Sequence, residues 1–175
     1  MSQRLNIEIK ARCFNPARIC KLLEAKNADF RGVDHQVDTY FRVPGGRLKL
    51  RQGNIETALI HYRRDNQAGP KRSEVLLYHP VETPDLKAIL KKALGILTVV
   101  DKYRHIYFID NVKFHVDEVK GLGAFCEIEV IDKNGSMEEA EMHKQCARYL
   151  DYLNIEEDDL IEVSYSDLII NGAEK

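Results

Sequence analysis

The stretch Leu5-Asn6-Ile7-Glu8-Ile9-Lys10-Ala11-Arg12 alternates between apolar and polar residues at every step. Successive side chains of a β-strand point to opposite faces, so this alternation predicts a strand with one apolar face and one charged face. Seven further segments read as strands, and turn residues such as Pro44-Gly45-Gly46 and Asp110-Asn111 separate several of them. The eight predicted strands cover residues 5–13, 36–43, 47–52, 57–64, 72–79, 99–109, 112–119 and 125–132.

Helix-start and helix-stop residues lie between these strands. Asn15 is a good N-cap, Gly95 is a good helix end, and Ser136 with Glu139 three residues later matches a capping box. The predicted helices cover residues 16–27, 84–94 and 136–153, and a short helical turn and a segment at 165–170 end the chain.

The number and spacing of these elements predict the fold class. Hairpin turns favour antiparallel pairing, and about eight short strands with helices inserted between them favour an α+β barrel or sandwich. The sequence contains no linker, low-complexity segment or internal repeat, so we expect one domain over residues 1–175.

Formal charges dominate the polar faces of the predicted strands, and their sign changes along the chain. Solvent-facing sheets commonly show polar alternation, but like charges side by side gain nothing there. Closing the sheet into a barrel would instead turn the charged faces inward, into a wet tunnel. The charged sets are Glu8, Lys10 and Arg12; Arg47, Lys49 and Arg51; His61 and Arg63; Lys102 and Arg104; His115 and Asp117; and Glu127 and Glu129.

A tunnel of this kind suits a triphosphate. Arg and Lys side chains contact phosphate oxygens, whereas carboxylates repel them. The natural role of the carboxylates is therefore to hold a hard divalent cation, Mg²⁺ or Mn²⁺, that bridges to the phosphates.

The overall composition limits the partners. The formal net charge is only −2, which gives no general attraction to nucleic acid or acidic membranes. The polar start of the chain does not resemble a signal peptide, and no apolar run approaches the roughly 18 residues of a membrane span. The four cysteines form no C-x-x-C pair, which is typical of reduced thiols. We expect a cytoplasmic protein without nucleic-acid or membrane partners, and a homodimer is compatible with the sequence.

A set of motifs follows in order along nearly the whole chain. They are Asn6-Ile7-Glu8-Ile9-Lys10, Gln36-Val37-Asp38-Thr39-Tyr40-Phe41, Arg47-Leu48-Lys49-Leu50-Arg51, Lys102-Tyr103-Arg104, Phe114-His115-Val116-Asp117, Gly121-Leu122-Gly123-Ala124-Phe125-Cys126-Glu127-Ile128-Glu129 and Ser164-Tyr165-Ser166-Asp167-Leu168. Together they resemble the CYTH superfamily, the triphosphate tunnel metalloenzymes, whose signature E-x-E-x-K corresponds to the first motif. That family includes class IV adenylate cyclases, thiamine triphosphatases and inorganic triphosphatases.

The resemblance implies a closed eight-stranded antiparallel barrel, a triphosphate tunnel, with helices packed outside. The implied metal ligands are Glu8, Asp117, Glu127 and Glu129. The implied phosphate-binding residues are Lys10, Arg12, Lys49, Arg51, Arg63, Arg72, Lys102 and Arg104. The implied catalytic residues are Lys10, Arg51, Glu127 and Glu129.

Two departures from the family pattern affect the expected reaction. Asn6 replaces the first signature Glu and brings no charge, and Ser164-Tyr165-Ser166 lies where thiamine triphosphatases tend to carry a Lys. The Gly-Leu-Gly-x-Phe stretch is closer to class IV cyclases. The leading expectation is therefore conversion of ATP to cyclic AMP and pyrophosphate. The alternatives are hydrolysis of thiamine triphosphate, inorganic triphosphate or a nucleoside triphosphate, a non-catalytic polyphosphate or nucleotide-binding module, and a polar β-domain that binds another protein.

Overall fold

The computed structural model describes the backbone of residues 2–173 and the side chains of residues 5–172. Eight strands form the sheet: β1 (Ser2–Arg12), β2 (Asp29–Phe41), β3 (Arg47–Gly53), β4 (Ala58–Arg64), β5 (Lys71–Tyr78), β6 (Ile96–Ile109), β7 (Val112–Val119) and β8 (Gly123–Asp132). The helices are α1 (Pro16–Ala25), α2 (Pro84–Leu94), α3 (Glu139–Leu153) and α4 (Tyr165–Ala173), with a 3₁₀ turn at Glu157–Asp159.

The sheet closes on itself. Its strands follow the order β1-β5-β4-β3-β2-β6-β7-β8, and β8 returns to pair with β1 from Leu5↔Asp132 to Arg12↔Phe125. Every neighbouring pair is antiparallel. The predicted α+β class, with a closed eight-stranded antiparallel barrel and helices outside it, is confirmed.

The apolar face of β1 lies on the outside of the barrel, under two helices. Ile7 and Ile9 are fully buried there in one cluster with Leu23 of α1 and Met142 of α3. Burying such side chains away from water is the main favourable term that holds the helices on the barrel. Because neighbouring residues of a strand face opposite ways, the charged face of β1 points into the barrel.

Several element boundaries differ from the prediction, and two of the differences have a clear physical reason. β2 begins at Asp29 rather than near residue 36, because an irregular pairing with β6 around Gly32, whose φ is 120°, interrupts the simple alternation. The predicted capping box at Ser136 was wrong, since α3 begins at Glu139. Asp132 instead accepts hydrogen bonds from the backbone N–H groups of the following loop, including that of Ser136 at 3.2 Å.

The C-terminal segment closes one end of the barrel. Leu160 bridges to Ala11 near the end of β1, and the N–H of Ile161 donates to the Lys10 carbonyl at 2.8 Å. α4 then places the Tyr165 ring 5.0 Å from the Phe125 ring of β8. The C-terminal segment therefore covers the end of the barrel at which β1 stops.

The cysteines and the helices can also be compared with the sequence-based expectations. All four cysteines are free thiols, and three of them are buried. Within residues 2–173, no helix is both long enough and apolar enough to cross a membrane.

Candidate active site

The barrel encloses a cavity of about 460 Å³. Within the described part of the chain, seven cationic side chains line it, and five of them were among the predicted phosphate ligands. These five are Lys10, Lys49, Arg51, Lys102 and Arg104. Arg64 of β4 and Lys113 of β7 complete the set. All seven come from the inward faces of five different strands, so only the closed sheet brings them together.

Asp38 of β2 organises three of these cations from behind the cavity wall. Its carboxylate accepts hydrogen bonds from Lys49 at 2.9 Å, from Arg51 at 2.9 and 3.0 Å, and from Lys102 at 2.8 Å. Burial disfavours the charged carboxylate, but Arg51 and Lys102 outweigh it and hold the pKa of Asp38 well below its usual range.

Lys102 is a weakly charged member of the set. Burial lowers the pKa of its amine to about 7, although the neighbouring Asp38 favours the charged form. Such an amine loses its proton near neutral pH unless a further anion, besides Asp38, arrives beside it.

Asp117 occupies a different place from the one predicted. Its carboxylate is fully buried, accepts hydrogen bonds from Arg104 at 2.7 and 2.5 Å, and accepts another from the Tyr165 hydroxyl at 2.7 Å. Asp117 is not among the residues that line the cavity, so it acts on the site by fixing Arg104.

Four carboxylates among residues 5–172 line the cavity, and two of them lie with a histidine in a compact group. Suitable ligand atoms of His115, Glu127 and Glu129 all lie within 4.8 Å of one another. Glu127 is already bonded to Lys10, to Arg104 at 2.7 Å and to His115 at 2.9 Å. Glu129 has no hydrogen bond to any residue that the structure describes, which leaves its carboxylate available to a cation.

Glu8 and Glu56 are the other two lining carboxylates, and each is paired with cations. Glu8 accepts a hydrogen bond from Arg64 and lies directly across the β1–β8 pair from Glu129. Glu56, in the loop before β4, is bonded to Lys113 and to Arg51 at 3.3 Å. Burial opposes ionisation of Glu56, but Lys113 and Arg51 lower its pKa strongly, so it stays charged at any ordinary pH.

A family model described as the CYTH domain matches residues 4–165. The chain belongs to the CYTH domain family. A protein of Methanocaldococcus jannaschii described as a "putative adenylate cyclase" is 26% identical over 94% of this chain and 98% of its own length.

Solved structures share the fold of this chain. A Pyrococcus horikoshii protein superposes with a TM-score of 0.77 at 27% identity, covering 93% of this chain and 98% of that one. A Hippeastrum protein, described as a "putative adenylyl cyclase" that reveals a dominant triphosphatase activity, has the same fold with a TM-score of 0.61. It is 14% identical and the alignment covers 98% of this chain and 96% of that one.

Three of the predicted phosphate ligands of this CYTH chain lie outside the tunnel. Arg63 is exposed because its neighbours Tyr62 and Arg64 take the inward positions of β4. Arg72 is exposed and pairs with Glu74 at 3.1 Å and Glu139 at 3.2 Å, since Lys71 and Ser73 face inward on β5. Arg12 is also exposed, at the end of β1. These placements remove the three arginines from the proposed phosphate-binding set.

Several cavity residues of the CYTH tunnel were missed from the sequence. Arg64 was overlooked because β4 was assigned the wrong inward face, and Lys113 because it is the second residue of β7, close to the turn. Glu56 lies in a loop, where alternation carries no signal. The Tyr165 ring, over which the Lys10 amine lies at 3.5 Å, comes from a helix outside the sheet.

The cavity also has a neutral wall, formed by the inward faces of β4 and β5. Its apolar members are Ala58, Ile60, Val75 and Leu77. Beside them lie Asn6 and Ser73, which face each other across β1 and β5. The Asn6 Oδ1 and the Ser73 Oγ are both buried without a hydrogen-bond partner among the described residues. This wall suits an uncharged group that also carries hydrogen-bonding atoms.

Proposed function

We propose that this CYTH protein is a divalent-metal-dependent enzyme that acts on a triphosphate inside the tunnel, with ATP cyclisation as the reaction. The observation that carries the proposal is the convergence of seven cations and the Glu127–Glu129 carboxylate pair in one cavity of about 460 Å³. Carboxylates hold these cations around one cavity, where the oxygens of a triphosphate would accept several charge-assisted hydrogen bonds at once.

The residues present fit a divalent ion. Glu129 has an uncommitted carboxylate among the described residues, Glu127 lies beside it, and Glu8 is its cross-strand neighbour. Oxygen ligands of this kind are those that Mg²⁺ and Mn²⁺ take in proteins. When bound, the ion supplies positive charge that neutralises phosphate oxygens as the transition state forms.

The chain's own cations would orient the phosphates. Arg51 is fixed from behind by Asp38, and Arg104 is fixed in the same way by Asp117. A guanidinium held in this manner presents its remaining N–H groups in a set direction, so little conformational entropy is lost when phosphate binds. In cyclisation the ribose 3′-oxygen attacks the α-phosphorus and pyrophosphate leaves.

The neutral wall supports an organic triphosphate over an inorganic one. Tripolyphosphate has no group that gains from contact with Ile60, Val75 and Leu77, whereas a nucleoside does. We therefore expect Ile60→Thr and Val75→Thr to raise KM for ATP several-fold and to leave KM for tripolyphosphate unchanged. An equal effect on both substrates would contradict this part of the proposal.

A triphosphatase is the second candidate. The same tunnel serves it if water rather than the ribose oxygen attacks, and the Hippeastrum relative of this fold is described with a dominant triphosphatase activity. A binding module without turnover is the third, and the uncharged Asn6 at a signature Glu position favours it.

Product analysis tests these candidates directly. The purified protein is incubated with ATP, thiamine triphosphate or tripolyphosphate, plus Mg²⁺ or Mn²⁺. Cyclic AMP with pyrophosphate supports the cyclase, and free phosphate supports the triphosphatase. Tight binding without product supports the module.

Matched variants link the activity to the tunnel. Glu127→Gln and Arg51→Ala are expected to lose activity, whereas Glu118→Gln and Arg63→Ala, at exposed positions of the neighbouring strands, are expected to keep it. Activity that survives Glu127→Gln and Arg51→Ala unchanged would refute the proposed site.

A further inference from the structure

His115 is the one buried cavity histidine, and it lies beside the two carboxylates proposed to hold the ion. Its side chain is 1% exposed. The residue faces Glu127 directly across the β7–β8 pair. Its Nδ1 lies 2.9 Å from Glu127 Oε2 and 3.9 Å from Glu129 Oε1.

These separations match those between ligand atoms of one ion. In an octahedral site with bonds of about 2.1 Å, neighbouring ligand atoms are about 3.0 Å apart and opposite ones about 4.2 Å. The distances from the His115 nitrogen to the two carboxylates fall in that range. An ion between the three side chains would therefore need only small shifts of existing groups.

The second nitrogen of the imidazole, Nε2, also bears on the site. His115 Nε2 is buried and has no hydrogen-bond partner among the described residues. Buried polar atoms normally have partners, so this nitrogen is available to a group that binds in the cavity. If Nδ1 binds an ion, the proton resides on Nε2, and an anionic ligand in the cavity would supply its acceptor.

We propose that His115 is a third protein ligand of the divalent ion, with Glu127 and Glu129, and that it makes the site prefer Mn²⁺ to Mg²⁺. The inference rests on the metal site of the proposed function. Mg²⁺ takes oxygen ligands almost exclusively, whereas transition-metal ions also accept an imidazole nitrogen. The set of one nitrogen and two carboxylates therefore discriminates between the two ions.

Binding of the ion should depend on the triphosphate. Without a ligand, Lys10 and Arg104 compete for the Glu127 carboxylate. A triphosphate would attract both cations and free Glu127 for the ion. Ion and triphosphate are therefore expected to bind cooperatively.

Pulsed electron paramagnetic resonance on bound Mn²⁺ tests the ligand directly in the unmodified protein. Mn²⁺ is added with tripolyphosphate, and nitrogen coupling is sought. The proposal expects a directly bound nitrogen whose signal changes when the histidines are labelled with ¹⁵N. This readout needs neither turnover nor a variant. Mn²⁺ bound without nitrogen coupling would overturn the proposal.

The affinities for the two ions supply the second readout. His115→Gln should lower the affinity for Mn²⁺ by about tenfold or more, the size of effect typical when residues around a bound metal are changed. The affinity for Mg²⁺ should change much less. His143→Gln, on the outer surface of α3, is the control and should change neither. An unchanged ratio of the two affinities in a folded His115→Gln protein would also overturn the proposal.

The outcomes separate this inference from the proposed function. One outcome is that Glu129→Gln abolishes Mn²⁺ binding while Mn²⁺ bound to the unmodified protein shows no nitrogen coupling. In that case the carboxylate site stands and the His115 ligand fails. If Mn²⁺ does not bind with or without tripolyphosphate, the metal site of the proposed function fails together with this inference.

Discussion

The Asp38 carboxylate lies behind the Arg51 guanidinium and accepts two parallel hydrogen bonds from it, Nε to Oδ1 at 2.9 Å and Nη2 to Oδ2 at 3.0 Å. This bidentate pair fixes the plane of the guanidinium at the cavity wall. It is also fully buried, because Asp38 is 1% exposed and Arg51 is 7% exposed. Removing one partner of such a pair leaves an uncompensated charge in the interior.

Asp38→Asn should therefore destabilise the fold strongly. We expect the free energy of unfolding, measured by urea denaturation, to fall by about 3–5 kcal/mol. Asp101→Asn is the matched control, since Asp101 pairs with His35 at the surface, where such pairs contribute at most about 1 kcal/mol. Equal losses in the two variants would show that the buried pair has no special role.

Arg64 and Arg63 provide a test of which face of β4 points inward. Arg64 lines the cavity beside Glu8, whereas Arg63 is exposed. Loss of one charge-assisted hydrogen bond to phosphate corresponds to about 10- to 100-fold in kcat/KM. Steady-state kinetics should therefore show a drop of that size for Arg64→Ala and none for Arg63→Ala. The reverse pattern would mean that β4 is paired in the other register.

Glu56 forms ion pairs with two cations that would otherwise be free to contact phosphate oxygens. Its carboxylate neutralises Lys113 and Arg51 in the tunnel. Glu56→Gln should release both, so we expect tripolyphosphate to bind roughly tenfold more tightly in calorimetry, the effect of one removed competing charge. Glu118→Gln, exposed on β7, should leave the affinity unchanged. Weaker binding by the Glu56 variant would indicate that this carboxylate helps to hold the ligand instead.

The lowered pKa of Lys102 makes ligand binding depend on pH. Burial brings that pKa to about 7, so the amine loses its charge as the pH rises through 7. A bound triphosphate favours the charged form, and binding at pH 8 should therefore take up a proton. Calorimetry in buffers of different ionisation enthalpy measures this uptake. Lys102→Met should abolish it, and an unchanged uptake in that variant would assign the proton to another group.

The sequence predicted most of the barrel because strand alternation is a local signal. Glu8 and Lys10, or Glu127 and Glu129, reveal an inward face from their spacing alone. What alternation does not specify is which of two polar faces points inward, and β4 carries charge on both, at Arg63 and Arg64. That ambiguity is resolved only by pairing with β3 and β5.

Contributions from outside the strands were harder to predict. Glu56 reaches the cavity because the buried Asp34 accepts hydrogen bonds from the backbone N–H groups of Ile55 at 2.8 Å and Glu56 at 2.9 Å. Tyr165 reaches it because α4 packs across the barrel end. Both depend on contacts between residues far apart in the chain, for which the sequence contains no periodic signal.

Calorimetric titration of tripolyphosphate with Mn²⁺ tests the central claim most directly, because it measures the ligand and the ion together without requiring turnover. We predict that one triphosphate binds per chain and that full affinity requires the ion. Binding should be lost in Arg51→Ala and kept in Arg63→Ala. Failure of the unmodified protein to bind, or equal affinity in both arginine variants, would contradict a triphosphate site inside the barrel.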